Sequence, residues 1–184
     1  ATEAYKSAIS LDQYFIDAWI NLGAVLQKAK KFQKSDEAFG QAIDLSPVYS
    51  RYRLSQIARS NGEIDKAIHH LKKALDIEPD NAAINDSLGI ACLLNEDFKK
   101  GFELYEWRWR QNKKSGTPDA KRLAGEYLRS TRPVWLGKPN QKVLVWAEQG
   151  IGDEIMFASM MSDLFSISKK IILLCDRRLI DTFK

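Results

Sequence analysis

Apolar residues recur among polar ones along the first 112 residues at the spacing expected of amphipathic helices. Two segments read almost alike, QAIDLSP ending at Pro47 and KALDIEP ending at Pro79, and a degenerate copy, SAISLDQ, ends at Gln13. The ends of these segments lie 34 and 32 residues apart. A repeat of about this length with two helices predicts a solenoid, in which each helix pair packs mainly against its neighbours.

The repeated positions resemble those of the tetratricopeptide repeat (TPR), which combines bulky, small and proline positions in a fixed order. Counted from Ile16, the matching residues are Trp19, Leu22, Gly23, Ser35, Phe39, Ala42 and Pro47. We expect a partial unit at 1–13 and units at 16–47, 48–81 and 82–112. The resemblance implies a mainly α-helical protein whose first 112 residues form a TPR solenoid.

Small residues are predicted where the two helices of a unit cross. Those on the first helices are Gly23, Ser55 and Gly89, and those on the second helices are Ser35, Ala67 and Gly101. Small side chains at both places allow the helices to approach closely. The proline after each second helix is expected to stop that helix, because its ring removes a hydrogen-bond donor.

The first helices of such a solenoid line its concave face, where we expect a protein or peptide ligand to bind. The predicted groove residues are Asp17, Ile20, Asn21, Ala24, Gln27 and Lys28 in one unit, Tyr52, Gln56 and Arg59 in the next, and Asp86, Ile90 and Leu93 in the third. A protein-interaction module is therefore the first hypothesis for function.

The run EWRWRQNKK, after Tyr105, allows two interpretations. Trp107 and Trp109 with their basic neighbours could stack on nucleic acid, or they could cover the apolar end of the last repeat. We favour the second, because a terminal repeat must cover its apolar face and the basic residues form no long stripe. The sequence therefore disfavours nucleic acid as a partner.

The C-terminal part has a different pattern. Residues 113–140 contain glycines and prolines around a helix-compatible stretch and are predicted to be a linker with one short helix. Strands are predicted at 142–147 and 170–176, with a helix at 154–166 between them and another helix from Arg177. Strand, helix and strand predict a parallel βαβ unit, so 141–184 would be the incomplete start of a Rossmann-like α/β domain.

A glycine turn follows the first predicted strand. Gly150 and Gly152 match the first two glycines of a dinucleotide fingerprint, but the third position holds Ile155. The acidic pair Asp153 and Glu154 would repel a pyrophosphate at the start of the helix. We therefore predict no cofactor for this chain, and we expect Asp153 to cap the helix by accepting backbone hydrogen bonds from its first turn.

The run WLGKPNQKVLVWAEQGIGDEIMFASMMSDL resembles the segment that follows TPR arrays in bacterial TPR–glycosyltransferase-like proteins. Its glycine turn is similar to that of the lipopolysaccharide heptosyltransferases, which have the two-Rossmann-domain GT-B fold. The resemblance implies a second hypothesis, the front end of a glycosyltransferase that acts on a protein or glycan acceptor. It implies Asp153 as general base and a nucleotide sugar as donor in a longer protein, with no transfer activity in this chain.

The cysteines, the lengths of the apolar runs and the start of the chain give further indications of the class of protein. Cys92 and Cys175 have no partners at metal-binding spacing, which predicts no metal site, no disulfide and a cytoplasmic location. No apolar run approaches the roughly 18 residues of a membrane span. The chain begins within a periodic pattern and without Met, so we expect it to be part of a longer protein. Met156, Met160 and Met161 are predicted to be core, and the sequence leaves the oligomeric state open.

Overall fold

The computed structural model describes residues 1–111, 135–146 and 150–183, apart from the side chains of Trp109 and Gln111. The chain divides into two compact units, Ala1–Ser115 and Gly116–Lys184. The helix predicted within the linker 113–140 lies outside the described residues.

Helices make up the described part of the first unit. They are α1 (Thr2–Leu11), α2 (Ile16–Lys28), α3 (Phe32–Leu45), α4 (Pro47–Ser60), α5 (Ile64–Leu75), α6 (Ala82–Leu94), α7 (Phe98–Tyr105) and α8 (Arg108–Gln111). The closest neighbours are α2 with α3, α4 with α5, and α6 with α7, while α3 also contacts α4 and α5 also contacts α6. The predicted solenoid of stacked helix pairs is confirmed.

The first helix of each pair ends in the same turn. Lys30, Gly62 and Glu96 have positive φ angles of 58°, 77° and 62°. The following residue donates its N–H to a carbonyl in the last turn of the helix: Lys31 to Leu26, Glu63 to Ala58, and Asp97 to Cys92, each at 2.9 Å. Only one of the three left-handed positions is glycine, so Lys30 and Glu96 each accept a backbone strain of about 1–2 kcal/mol.

Pro47 has a different role from the predicted one. Helix α3 ends at Leu45, and Pro47 is the first residue of α4, so that Ser46 alone separates the two helices. Proline suits this position, because the first turn of a helix has N–H groups without intrahelical partners. The shorter spacing of the second repeat therefore lies in the α3–α4 connection.

The predicted helix crossings are present in two pairs. The Ser35 hydroxyl donates to the Gly23 carbonyl over 2.8 Å. A Cβ atom added at Gly89 would lie 2.7 Å from the Tyr105 nitrogen and 3.0 Å from the Gly101 oxygen. Both distances are shorter than an ordinary van der Waals contact, so α6 and α7 approach too closely there for any side chain.

The repeats pack against each other through apolar clusters. One cluster joins α5 to α6 through Leu71, Ala74, Ile84, Leu88, Ala91 and Cys92. The other joins α2 to α3 through Leu22, Leu26 and Ala38, with Tyr5, Ile9 and Trp19 packed against it. Burial of this apolar surface holds adjacent helices in register.

The second unit contains a small parallel sheet. Its described elements are β1 (Lys142–Trp146), α9 (Ile151–Ala158), α10 (Met161–Ile167), β2 (Lys170–Leu174) and a turn of 3₁₀ helix (Arg177–Leu179). Lys142 lies opposite Lys170 and Trp146 lies opposite Leu174, in parallel register. The predicted strand–helix–strand order is present, while the Rossmann-like assignment remains a prediction.

Three details of this unit differ from expectation. The helix predicted at 154–166 is two short helices, and the helix predicted from Arg177 is a single 3₁₀ turn. Met156 and Met160, predicted to be core, are 58% and 61% exposed. Among the described residues, two short helices present too little surface to cover both faces of a parallel sheet.

We predict that Gly89→Ala lowers the free energy of unfolding by about 1–3 kcal/mol, because the methyl group would clash with the backbone of α7. Gly40→Ala is the matched control, since Gly40 also lies within a helix and nothing lies within 4 Å of its added Cβ. That substitution should stabilise by about 0.5–1 kcal/mol. Urea denaturation measures both, and equal effects would show that α6 and α7 do not meet at Gly89.

Candidate peptide-binding groove

The candidate site is a set of side chains on α2, α4 and α6 that are not fully buried, of which Tyr52 also packs against the α5–α6 cluster. We call it the first-helix face, and it consists of Asp17, Asn21, Ala24, Gln27, Lys28, Tyr49, Tyr52, Arg53, Gln56, Arg59, Asp86, Ile90 and Leu93. Lys28 and Tyr49 are exposed and the others are half-buried. Side chains with this degree of exposure can contact a ligand while the helices that carry them stay rigid.

Ile20 was predicted for this face, and the prediction is wrong. Its side chain is 0% exposed. Helix α2 contacts three other helices, α1, α3 and α4, so more of its surface is packed than if it contacted one helix alone. Ile20 therefore belongs to the core.

A polar link joins the first helices of two successive repeats. The Tyr49 hydroxyl lies 2.9 and 3.0 Å from the two carboxylate oxygens of Asp17. The Arg53 Nε lies 3.4 Å from the same carboxylate, and Arg53 Nη1 donates to the Gln56 Oε1 over 3.1 Å. Partial desolvation raises the pKa of Tyr49 above its ordinary value, and the hydrogen bond to Asp17 raises it further.

Tyr49 and Arg53 were not among the predicted groove residues. They occupy the second and sixth positions of their unit, where the preceding unit has Asp17 and Asn21. The repeat register therefore contained the signal that would have identified both residues.

A small cavity lies on the side of α4 towards α6, whereas the polar link lies on the side towards α2. It has a volume of about 10 Å³, enough for about one water molecule, and is lined by Ser55, Gln56, Arg59, Leu71, Ser87 and Ala91. The Arg59 guanidinium makes no hydrogen bond or ion pair with another described residue. The structure thus brings Gln56 and Arg59 together with Ser87, which the sequence analysis had not considered.

The predicted residues on α6 differ in how much they contribute to helix packing. Asp86 and Ile90 are half-buried. Leu93 packs directly over Gly101, because a Cβ added at that glycine would lie 2.6 Å from Leu93 Cδ2. Leu93 therefore serves helix packing as well as the first-helix face.

A second and larger groove lies among α1, α2 and α3. Its volume is about 810 Å³, and its lining residues are Thr2, Glu3, Lys6, Trp19, Leu22, Leu26, Lys31, Lys34, Glu37, Ala38, Gly40, Gln41 and Asp44. We call it the outer groove. Sequence periodicity does not predict it, because its width depends on how far apart α1 and α3 pack.

The aromatic residues at the end of the repeats already have cationic partners. The Arg108 guanidinium lies 4.2 Å from the centre of the Tyr105 ring, and that of Arg110 lies 4.0 Å from the centre of the Trp107 ring. These cation–π contacts use ring faces that stacked bases would need. Trp107 is half-buried, and its predicted contact with the linker remains a prediction.

The glycine turn of the second unit is built around two acidic side chains. Asp153 Oδ2 accepts a hydrogen bond from the Gly150 N–H over 3.2 Å, and Glu154 Oε2 accepts one from the Asp176 N–H over 2.9 Å. Asp153 was expected to accept from the first turn of the helix, whereas it reaches back to the residue before α9. Gly152 is exposed, with nothing within 4 Å of an added Cβ.

Two kinds of feature are absent from the described residues. No helix there is long and apolar enough to cross a membrane, and no group of three or more His, Cys, Asp or Glu residues there could hold a metal ion.

Comparison with known proteins agrees with the repeat pattern. Residues 16–49 match the family model described as tetratricopeptide repeat, and residues 56–95 match one described as TPR repeat. A crystal structure of MamA protein aligns at 26% identity over 61% of this chain and 63% of its own, with a TM-score of 0.45. MamA from Desulfovibrio magneticus aligns at 19% identity over 63% and 67%, with a TM-score of 0.46.

Curated relatives match along different lengths. BBSome complex member BBS4 of Bos taurus is 32% identical over 104 residues, which cover 56% of this chain and 20% of that protein. Protein FlbA of Caulobacter vibrioides is 28% identical over 171 residues, 89% of this chain and 27% of that protein. The chain thus spans about a fifth to a quarter of the length of these relatives. Residues 16–49 and 56–95 are tetratricopeptide repeats.

Proposed function

We propose that the chain binds an extended peptide or protein segment along the first-helix face. The observation that carries the proposal is the row of half-buried polar side chains on successive first helices, among them Asn21, Gln27, Gln56 and Arg59. Such side chains fix the register of a peptide through hydrogen bonds to its backbone and polar groups. Core packing leaves this row accessible, although it buries Ile20 on the same helix as Asn21 and Gln27.

The usual spacing of packed helices suits an extended ligand. Packed helices lie about 8–10 Å apart, and an extended chain advances about 3.3 Å per residue. At this usual spacing, a ligand that crosses α2, α4 and α6 would meet a new helix about every three residues. Because core packing already holds the helices in place, the protein loses little conformational entropy when it binds a ligand.

We predict that random peptides of about a dozen residues, selected by display against the purified chain, bind the first-helix face. Asn21→Ala combined with Gln56→Ala should weaken the selected peptides by about tenfold or more, through the loss of hydrogen bonds. Lys34→Ala combined with Gln41→Ala is the control and changes the outer groove instead. Fluorescence polarisation measures each affinity.

Two outcomes would contradict this proposal. The first is a failure of the selection to enrich any peptide. The second is a set of peptides whose affinity falls with the outer-groove variant and not with the first-helix variant.

We also propose that the second unit is the front end of a glycosyltransferase-like α/β domain of a longer protein, which would use a nucleotide sugar. The parallel pairing of β1 with β2 supports this proposal, as does the position of Asp153 in the first turn of the helix after β1. In this proposal Asp153 is the general base for the acceptor hydroxyl, and the chain alone transfers no sugar.

We predict that Asp153→Asn keeps the hydrogen bond to Gly150, because an amide oxygen also accepts, whereas Asp153→Ala removes it. Hydrogen exchange of the Gly150 amide should be nearly unchanged in the Asn variant and about fivefold faster in the Ala variant, equivalent to about 1 kcal/mol. A transfer assay of the longer protein then separates chemistry from structure. Full activity of the Asn variant would eliminate the base role.

A further inference from the structure

We propose that the segment bound on the first-helix face carries an acidic side chain, Asp or Glu, whose carboxylate binds Arg59. This inference rests on the proposed function, and it adds the chemistry of the ligand and its place between α4 and α6.

Helix α4 is the basic helix of the face. Its sequence, PVYSRYRLSQIARS, contains Arg51, Arg53 and Arg59 and no acidic residue. Carboxylate partners for its arginines must therefore come from other helices or from a ligand.

On the side of α4 towards α2, the chain supplies that partner itself. The Asp17 carboxylate is held by the Tyr49 hydroxyl and lies 3.4 Å from Arg53 Nε. The arrangement shows that the space between two successive first helices accommodates a carboxylate beside an arginine of α4.

On the side towards α6, no described carboxylate occupies the corresponding place. Arg59, Gln56 and Ser87 line the cavity there, and Asp86 is not among its lining residues. Arg59 as a whole residue is half-buried, and a cation that is partly removed from water is stabilised by an anionic partner. A ligand carboxylate would supply the missing partner.

The neighbouring groups favour a carboxylate ligand. Gln56 uses its Oε1 to accept from Arg53, so its Nε2 amide remains as a donor. The Ser87 hydroxyl is a second donor, and the planar guanidinium of Arg59 can bind both oxygens of a carboxylate. A cavity of about 10 Å³ accommodates about one oxygen-sized group, such as one carboxylate oxygen.

The test uses the peptides selected by display against the purified chain. Asp or Glu should be enriched at one position of the selected set. Replacing that residue by Asn or Gln should weaken binding by about tenfold or more, as expected for the loss of a charged hydrogen bond. Arg59→Gln should cause a similar loss, and combining the peptide and protein changes should add little further.

Two variants of the protein control for charge and folding. Lys72→Gln removes one positive charge from exposed Lys72 on α5 and should leave affinity unchanged. Arg59→Lys keeps the charge without the planar fork and should show an intermediate loss. The peptide-side substitution leaves the protein intact, so its result stands even if an Arg59 variant folds poorly.

The outcomes separate this inference from the proposed function. Selected peptides that depend on Asn21 and Gln56, without acidic enrichment or sensitivity to Arg59→Gln, would overturn the carboxylate inference and leave peptide binding standing. Equal losses with Lys72→Gln would show a general charge effect and would also overturn it. Preference for a phosphorylated over an acidic version of the same peptide would replace carboxylate by phosphate. Failure to select any peptide would overturn both proposals.

Discussion

The close approach of two helix backbones within each repeat is the constraint on which the solenoid depends. At Gly89 the backbone of α7 comes within the space that a side chain would fill. At Gly23 the hydroxyl of Ser35 donates to the glycine carbonyl and ties α2 to α3. Small residues at these crossings allow the paired helices to lie in contact, and the larger apolar residues then pack between repeats.

The first-helix face is a consequence of this packing. The same left-handed turn ends α2, α4 and α6, so successive hairpins have the same local geometry. Matching positions therefore meet across repeat boundaries. Between α2 and α4 the chain pairs its own carboxylate with arginine and tyrosine, whereas between α4 and α6 it leaves an arginine beside a small polar cavity. One repeat geometry thus provides a structural contact and a candidate ligand contact.

The sequence predicted the repeats well because their register depends on local and periodic features. Helix periodicity and small residues at fixed positions were enough to place the crossings at Gly23 and Gly89. The sequence did not predict that Ile20 is buried, since that depends on how many helices contact α2. Nor did it predict the turns at Lys30 and Glu96, because neither residue signals a left-handed conformation as glycine does.

The second unit was predicted less well for a different reason. Its strands and parallel pairing follow from short runs of β-forming residues, and these were predicted to within a few residues. The exposure of Met156 and Met160 depends on what else packs on the sheet, which a local pattern does not contain. The Asp153 hydrogen bond differed from expectation because a side chain in the first turn can reach back to the residue before the helix.

The most direct test of the central claim is the map of amide chemical-shift changes when a selected peptide is titrated into the labelled chain. Binding on the first-helix face predicts the largest changes along α2, α4 and α6, centred on Gln56 and Arg59. The α1 and α3 residues of the outer groove, such as Lys6 and Gln41, should change little. The largest changes at Lys6 and Gln41, with α4 and α6 unaffected, would contradict the account.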